Sequence, residues 1–165
     1  MGKVIKPIAI HHELLLGLQA PTVWPVPVGD EKSVVRTQMK MSKSIPGSAI
    51  FIHDFEQEIR DKINKAFCPE KHVEFNPIVD WVKNLILPLK GELKINREDK
   101  FGGDLEINNF EELEKIFIDG ELHPMDPKNA VVDTLIEILK PARERFVDSK
   151  SQKLIELIRG VKKKR

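Results

Sequence analysis

Two lysines and two serines stand close together in the segment MKMSKS, Met39–Ser44, which is called the lysine loop below. The ammonium groups of Lys40 and Lys43 suit the polyphosphate of a nucleotide, and serine hydroxyls and backbone amides add hydrogen-bond donors. When an adenylyl group is transferred from ATP, negative charge develops on the departing pyrophosphate, and fixed cations there lower the barrier. The Pro-Gly pair that follows would help the loop to close over a nucleotide. A lysine pair in a polar loop is also common on solvated surfaces, so the segment alone leaves both interpretations open.

A second group of side chains suits recognition rather than catalysis: Phe101 and the segment HPMD, His123–Asp126. Aromatic and imidazole rings stack on unpaired bases, each stack contributing about 1–3 kcal/mol. The carboxylate of Asp126 can accept two hydrogen bonds from the Watson–Crick edge of guanine. The same segment predicts a helix start, with Asp126 as N-cap and Pro127 at the first helical position. Asp126 can fill both roles only if one of its oxygens remains free.

The elements around the lysine loop are predicted to be strands and irregular segments. The β-branched run KPIAIHH, residues 6–12, predicts a buried strand, and SAIFIHD, residues 48–54, predicts another. Three prolines and a glycine predict a loop or insertion over residues 20–33, and residues 34–47 then carry the lysine loop. At His11-His12, a residue lining the floor of a nucleotide site and a purely structural pair are equally good interpretations.

Helices are predicted from Asp54 onward. Asp54 and Gln57 have the spacing of a capping box, and Asn76-Pro77 predicts the start of a second helix that Pro88 ends. Trp81 in that helix is expected in the core, whereas a tryptophan in the proline-rich stretch, Trp24, is expected to pack that loop.

The chain changes character near residue 90, which predicts a division there. Alternation in ELKIN and DLEIN predicts two short strands with Gly102-Gly103 between them. Three helices follow. Asn109 predicts the start of the first, with Glu112 at the capping-box position and Gly120 as its stop. Asp126-Pro127 predicts the start of the second, which Pro141 kinks or ends, and SQKLIELIRGVKKKR predicts the third. Lys128 is expected to be a solvated helix lysine, with a phosphate contact as the alternative.

Composition narrows the classes of function. The formal net charge of the 165 residues is +1, so any nucleic-acid site must be local, for example at the basic end VKKKR. Cys68 is the single cysteine, has no zinc-ligand partners in sequence, and is interpreted as a small buried hydrophobe. No apolar run reaches the length of about 20 residues that a membrane span needs, so we expect a cytoplasmic protein with no membrane partner.

Several blocks of sequence occur in order: KPIAIHHELLLGL, KMSKS with PGSAIFIHD, KAFCPE, NPIVD, KFGGDLEI, FEELEKIF and ELHPMDPKNAV. KMSKS is typical of class I aminoacyl-tRNA synthetases. From about Lys6 to about Phe146, the blocks together resemble the C-terminal half of tyrosyl-tRNA synthetases of the archaeal and eukaryotic type. The tryptophanyl enzymes share KMSKS, but FGGD followed by ELHPMD favours the tyrosyl family.

The resemblance implies an α/β remainder of a Rossmann-like catalytic domain over residues 1–90, followed by a mainly α-helical anticodon-binding domain over residues 91–165. It implies ATP-dependent activation of tyrosine and transfer to tRNA(Tyr), with Mg²⁺ accompanying ATP and no metal site on the protein. Lys40 and Lys43 would be catalytic. The implied ATP-binding residues are His11, Lys40, Met41, Ser42, Lys43 and Ser44.

The resemblance also implies recognition of a guanine at the first anticodon position. Phe101 and His123 would sandwich the base, Asp126 would read its edge, and the pocket would be shaped by Pro124 and Met125. The family's N-terminal half, with its HIGH motif, tyrosine pocket and most of its homodimer interface, is not in this sequence. We therefore expect the chain alone to be inactive and to meet tyrosine only with that half.

Alternatives are a stand-alone tRNA-binding module, one subunit of a split enzyme, and a fragment of a tryptophanyl enzyme. Three departures from the family are the long loop before KMSKS, the basic helix after Phe146, and Ile45 where lysine is common.

Overall fold

Helices are the main regular structure of the computed structural model, which describes residues 12–29 and 31–160. The helices are α1 (Glu31–Gln38), α2 (Glu56–Lys65), α3 (Pro77–Trp81), α4 (Leu87–Lys90), α5 (Phe110–Asp119), α6 (Met125–Arg143) and α7 (Ser149–Gly160). Strands β1 (Leu93–Ile95) and β2 (Leu105–Ile107) form an antiparallel pair in which Lys94 faces Glu106. Short 3₁₀ turns occupy Pro46–Ser48, Asp99–Phe101 and Glu144–Phe146.

One hydrophobic core joins residues from both sides of position 90. Helix α6 packs against α2, α3 and β1. Its Val131 is buried in the same cluster as Ile59 and Ile63 of α2, Trp81 of α3 and Phe117 of α5. Helix α2 acquires its apolar face because Ile59 and Ile63 are four residues apart. Because this core draws on residues from both sides of position 90, the division there stays a prediction.

The predicted helix start at Asn76-Pro77 is confirmed, but the predicted stop at Pro88 is wrong. The buried Asn76 Oδ1 accepts hydrogen bonds from the backbone amides of Ile78 and Val79. A π-helical segment, Val82–Ile86, joins α3 to α4 and places Pro88 in the first turn of α4. The helical run therefore continues past Pro88 and ends at Lys90.

The predictions after residue 90 agree well with the structure. Both strands are present, and the glycines between them have positive φ angles, 98° at Gly102 and 73° at Gly103. Asn109 caps α5 by accepting a hydrogen bond from the amide of Glu112 at 2.9 Å, and Gly120 ends the helix at φ 82°. Two details differ: α6 begins at Met125 rather than at Asp126-Pro127, and it runs through Pro141 to Arg143.

Three predictions near the lysine loop need correction. Residues 31–38 form α1, so the irregular stretch is shorter than 20–33 and helix reaches into 34–47. Residues 48–54 form no strand, because the side chain of Asp54 accepts the amide hydrogen of Phe51 and bends the segment into a turn. The capping box of α2 lies one residue later, with Glu58 accepting from the amide of Phe55. The predicted strand at 6–12 falls outside the described residues except for His12.

Among the described residues, no helix combines the length and the apolar character needed to cross a membrane.

Candidate functional site

The lysine loop is attached to the segment Leu16–Leu18 by backbone hydrogen bonds. Leu16 and Lys40 form an isolated antiparallel bridge, the amide of Gly17 donates to the carbonyl of Met39 at 2.5 Å, and that of Leu18 donates to Ser48 at 3.0 Å. The contact requires glycine at position 17, because a Cβ there would lie 2.9 Å from the carbonyl oxygen of Met39. The two ends of the loop are thereby fixed to one buried segment.

Ser48, which the sequence analysis did not single out, organises the interior of the loop. Its side chain is buried, and its Oγ accepts a hydrogen bond from the amide of Ser42 at 3.0 Å and lies 2.8 Å from the carbonyl oxygen of Ile45. The amide of Ser44 donates to the Oγ of Ser42 at 3.2 Å, which leaves the Ser42 hydroxyl proton free to donate. The turn after the lysines is therefore ordered from inside.

The lysines themselves point outward from this ordered loop. Lys40 and Lys43 are exposed, and neither ammonium group has an ion-pair or hydrogen-bond partner among the described residues. Met41 packs against the core between them. Lys40 and Met41 also line a cleft of about 720 Å³ together with His12. His11, the histidine proposed for a nucleotide site, lies outside the described residues.

The second group of predicted residues is brought together by Arg97, which the sequence analysis missed. Its side chain is only 6% exposed. Its Nε donates to the carbonyl of Gly103 and its Nη1 donates to the carbonyl of Glu121, both at 3.0 Å. Arg97 thus links the loop that carries Phe101 to the segment that carries HPMD. Phe101, His123 and Asp126, with Arg97 behind them, are called the hairpin site below.

Asp126 is held by one of its two carboxylate oxygens. Oδ2 accepts the amide hydrogen of His123 at 3.0 Å and lies 3.8 Å from Nη1 of Arg97. Oδ1 accepts no hydrogen bond from the described residues. The predicted N-cap role is wrong in detail, since Asp126 is the second residue of α6 and its side chain reaches back to His123. The condition that one oxygen remains free is met.

The rings of the hairpin site are open to solvent. Phe101 is 62% exposed, and the ammonium group of Lys100 lies 4.8 Å from its ring centroid. His123 is also exposed, and its Nδ1 accepts a hydrogen bond from the amide of Met125 at 3.2 Å, which places the proton of a neutral ring on Nε2. Pro124 and Met125 are half-buried beside it. The structure shows no ring contact between Phe101 and His123 within the described residues.

Lys128 does not match the prediction of a solvated lysine. It is 8% exposed, and its Nζ donates to the carbonyl of Asn64 near the end of α2 at 3.0 Å. Burial lowers the pKa of its ammonium group. An ammonium group in this position stabilises the packing of α6 on the C-terminus of α2. Because it is buried there, it does not reach a phosphate at the surface.

Cys68 and Trp24 have structural surroundings. The amide group of Asn76 donates to the Sγ of Cys68 at 3.4 Å, and burial raises the pKa of the thiol. A thiol with a raised pKa is a poor nucleophile, as the sequence interpretation expects. Trp24 meets the rings of Phe67 and His72 edge to face, at centroid distances of 5.0 and 5.3 Å. These contacts attach the proline-rich stretch to the segment after α2.

Among the side chains that the structure describes, no group of three or more His, Cys, Asp or Glu residues is placed to hold a metal ion.

The chain matches the model of one known protein family over most of its length. Residues 33–140 match the family model of class I tRNA synthetases (W and Y), and this range includes both the lysine loop and the hairpin site. The tyrosine–tRNA ligase of Thermococcus kodakarensis is 51% identical over 162 residues, which are 98% of this chain and 43% of that protein. The tyrosine–tRNA ligase of Pyrococcus abyssi is 50% identical over the same length.

Solved structures of tyrosyl-tRNA synthetases also superpose on the chain. The tyrosyl-tRNA synthetase of Pyrococcus horikoshii, determined with L-tyrosine, superposes with a TM-score of 0.87 at 48% identity and covers 97% of this chain. The Aeropyrum pernix enzyme superposes with a TM-score of 0.71 at 35% identity. The chain spans about 43% of the length of the curated relatives that it matches first. Because the first match covers 98% of the chain, it takes in nearly all of the proline-rich stretch and of α7.

Proposed function

This chain belongs to the class I tRNA synthetases of the tryptophan and tyrosine type, and from this premise we propose that it supplies two functions of a tyrosine–tRNA ligase: closure over ATP and recognition of the anticodon. The family membership rests on the match over residues 33–140. The relatives that the chain matches at about 50% identity are tyrosine–tRNA ligases, which supports tyrosine over tryptophan as the amino acid.

The lysine loop would serve the first reaction. The carboxylate of tyrosine attacks the α-phosphorus of ATP, the bond to the bridging oxygen breaks, and pyrophosphate departs with the electron pair. Lys40 and Lys43 would neutralise the charge that develops on it, because both ammonium groups are exposed and unpaired within the described residues. Mg²⁺ would arrive with the triphosphate, whose oxygens suit that ion. In the second reaction, a hydroxyl of the terminal ribose of tRNA attacks the adenylate and AMP departs.

The hairpin site would read the first anticodon base. The observation that carries this proposal is the state of Asp126, whose Oδ2 is fixed by His123 while its Oδ1 accepts nothing from the described residues. A fixed carboxylate with an open oxygen accepts hydrogen bonds from the N1–H and N2–H₂ donors of guanine. Adenine offers no such pair of donors. The exposed rings of Phe101 and His123 provide the stacking surfaces.

Binding of the chain to an anticodon stem-loop RNA tests the proposal. We expect a stem-loop with guanine at the first anticodon position to bind about 5- to 150-fold more tightly than one with adenine, corresponding to about 1–3 kcal/mol. Asp126→Ala should remove the preference. Asp119→Ala, at an exposed aspartate near the end of α5, is the matched control. Equal affinity of the unmodified chain for both RNAs would contradict the assignment.

Tyrosine-dependent exchange between ATP and pyrophosphate tests the catalytic half of the proposal. We propose that the chain alone is inactive, since it spans 43% of the length of its relatives. Activity should appear when the chain is mixed with the part of the Pyrococcus horikoshii enzyme that lies outside the match. Exchange by the chain alone would contradict the first expectation. RNA binding without any restored exchange would favour a stand-alone module. The cytoplasmic location and the homodimeric parent stay predictions.

A further inference from the structure

The segment Ser48–Phe55 follows the lysine loop and is called the return segment below. This return segment has no helix or strand after Ser48. At its first residue, the Oγ of Ser48 binds the amide of Ser42, and its carbonyl binds the amide of Leu18. The return segment therefore connects the lysine loop directly to whatever holds its other end.

Two carboxylates fix that other end. Asp54 is 2% exposed, and its Oδ2 accepts the amide hydrogen of Phe51 at 2.8 Å while pairing with Lys62 at 2.5 Å. Glu58 accepts the amide hydrogen of Phe55 at 2.8 Å. Both side chains thus hold backbone amides of the return segment. Two carboxylates on neighbouring turns repel each other unless cations compensate them.

Arg159 of α7 faces both carboxylates from the far end of the chain. Its Nη2 lies 3.0 Å from Oε2 of Glu58 and 3.9 Å from Oδ1 of Asp54. Ile155, one turn earlier on α7, is the buried residue of that helix. Helix α7 thus contacts this region through a guanidinium group that reaches both carboxylates.

The pKa of Glu58 agrees with this geometry. Burial alone would raise it, but the hydrogen bond from Phe55 and the guanidinium group of Arg159 outweigh that effect and hold the pKa below its ordinary value. Two further contacts come from the same end of the chain. The ring of Phe146 meets that of His53 at 6.4 Å, and Arg143 pairs with Glu56 at 3.1 Å. Three points of the C-terminal part therefore touch residues 53–58.

We propose that Arg159 is a positioning residue for the lysine loop, acting through Glu58 and Asp54 on the return segment. The assignment of a role in adenylyl transfer rests on the proposed function, whereas the mechanical link does not. In this arrangement α7 is a brace that keeps the return segment, and with it Lys40 and Lys43, in register with the rest of the site. Removal of the guanidinium group leaves the two carboxylates with Lys62 as their remaining cation among the described residues and loosens the segment.

Amide hydrogen exchange of the 165-residue chain, followed by mass spectrometry, tests the proposal without nucleotide or RNA. In Arg159→Gln we expect the amides of Ser48, Phe51 and Phe55 to exchange about five- to tenfold faster, while the strands β1 and β2 keep their rates. Arg159→Lys should restore part of the protection because it keeps one charge. Lys153→Gln changes an exposed cation on the same helix and should leave all of these rates unchanged.

A second variant separates the ion pair from the folding of α7. Glu58→Gln keeps an acceptor for the amide of Phe55 but removes the charge that Arg159 meets. We expect Glu58→Gln to loosen the return segment as Arg159→Gln does, and the double variant to add little further, because both remove one interaction. Unchanged protection in Arg159→Gln would overturn the proposal, and so would equal acceleration of the strands or an equal effect of Lys153→Gln. Because no ligase activity is measured, this outcome is independent of the exchange and stem-loop experiments.

Discussion

The lysine loop and the hairpin site are held in opposite ways. Backbone groups and a buried serine hydroxyl fix the lysine loop, and its two cations are left without partners among the described residues. The hairpin site is fixed by a charged side chain, Arg97, which donates to two backbone carbonyls and approaches Asp126. The first arrangement leaves charge available for a ligand, whereas the second uses charge to join two chain segments.

The different ways in which the two sites are held indicate which of them can act without further parts of a protein. In the hairpin site, Arg97 ties the loop that carries Phe101 to the segment that carries His123 and Asp126. The lysine loop offers two cations, the hydroxyl of Ser42 and a cleft shared with His12. Cations stabilise a departing pyrophosphate only when the nucleotide is held elsewhere. We therefore expect changes at the lysine loop to affect catalysis in a completed enzyme, and changes at the hairpin site to affect RNA binding by the chain itself.

The largest effect is expected from Lys43→Ala in the enzyme restored by mixing. Loss of one fixed charge that meets the developing pyrophosphate should lower the exchange rate by about 10²–10³-fold. Affinity for the anticodon stem-loop should not change, since the two sites share no residue. Lys115→Ala, at an exposed lysine of α5, is the control. A parallel loss of RNA affinity in Lys43→Ala would show that the two sites do not act independently.

The second largest effect is expected from Arg97→Met, which should lower the stability of the folded chain. The side chain is 6% exposed, and its removal leaves the carbonyls of Gly103 and Glu121 without their charged donor. We expect a loss of about 2–3 kcal/mol in the free energy of unfolding, measured by urea titration, together with a weaker preference for guanine. Arg60→Met removes a half-exposed arginine that pairs with Asp133 at 3.1 Å and should cost far less. Similar losses in both variants would show that Arg97 has no special positioning role.

Gly17→Ala tests the backbone attachment of the lysine loop. The added Cβ would lie 2.9 Å from the carbonyl oxygen of Met39 and 3.2 Å from those of Lys40 and Ser48, and backbone oxygens cannot move aside cheaply. We expect a loss of about 1–2 kcal/mol in the free energy of unfolding and faster amide exchange at Leu18. Gly47→Ala is a matched control, because nothing lies within 4 Å of a Cβ at that position. Equal effects would mean that the close approach at Gly17 is not limiting.

Local signals in the sequence predicted much of the fold after residue 75. Asn76, Asn109 and Gly120 act through hydrogen bonds and backbone angles within a few residues, so their roles are readable from spacing. The prediction that Pro88 ends a helix was wrong because the π-helical segment Val82–Ile86 leads directly into α4, whose first turn contains Pro88. That shift depends on tertiary packing, which spacing does not report.

The residues that organise both sites could not be predicted, because their partners are distant in the chain. Arg97 binds Glu121, 24 residues away, and Arg159 binds Glu58, 101 residues away. Lys128 was misassigned for the same reason, since its acceptor is the carbonyl of Asn64. The types and order of the residues proposed to face ligands were readable from motifs. The supporting residues became visible only when the fold placed them together.

The smallest expected effect is a change of folding stability with pH, which arises at Glu58 behind the lysine loop and not at the hairpin site. The pKa of Glu58 is lowered in the folded chain, so the folded state binds fewer protons than the unfolded state as the pH falls. Its stabilising contribution is present above the unfolded pKa of about 4.3 and is lost as the pH falls through the folded pKa. Because the side chain is 35% exposed, the contribution should stay below about 1 kcal/mol.

Urea titrations between pH 7 and pH 3 measure this contribution as a difference between the unmodified chain and Glu58→Gln. The two should differ in stability at neutral pH and converge toward pH 3, since protonation of Glu58 removes the charge that Arg159 meets. Amide exchange should locate the change at Phe55, in the return segment, and leave β1 and β2 unaffected. A difference that persists at pH 3, or one that appears first in the strands, would show that the charge of Glu58 does not brace the lysine loop.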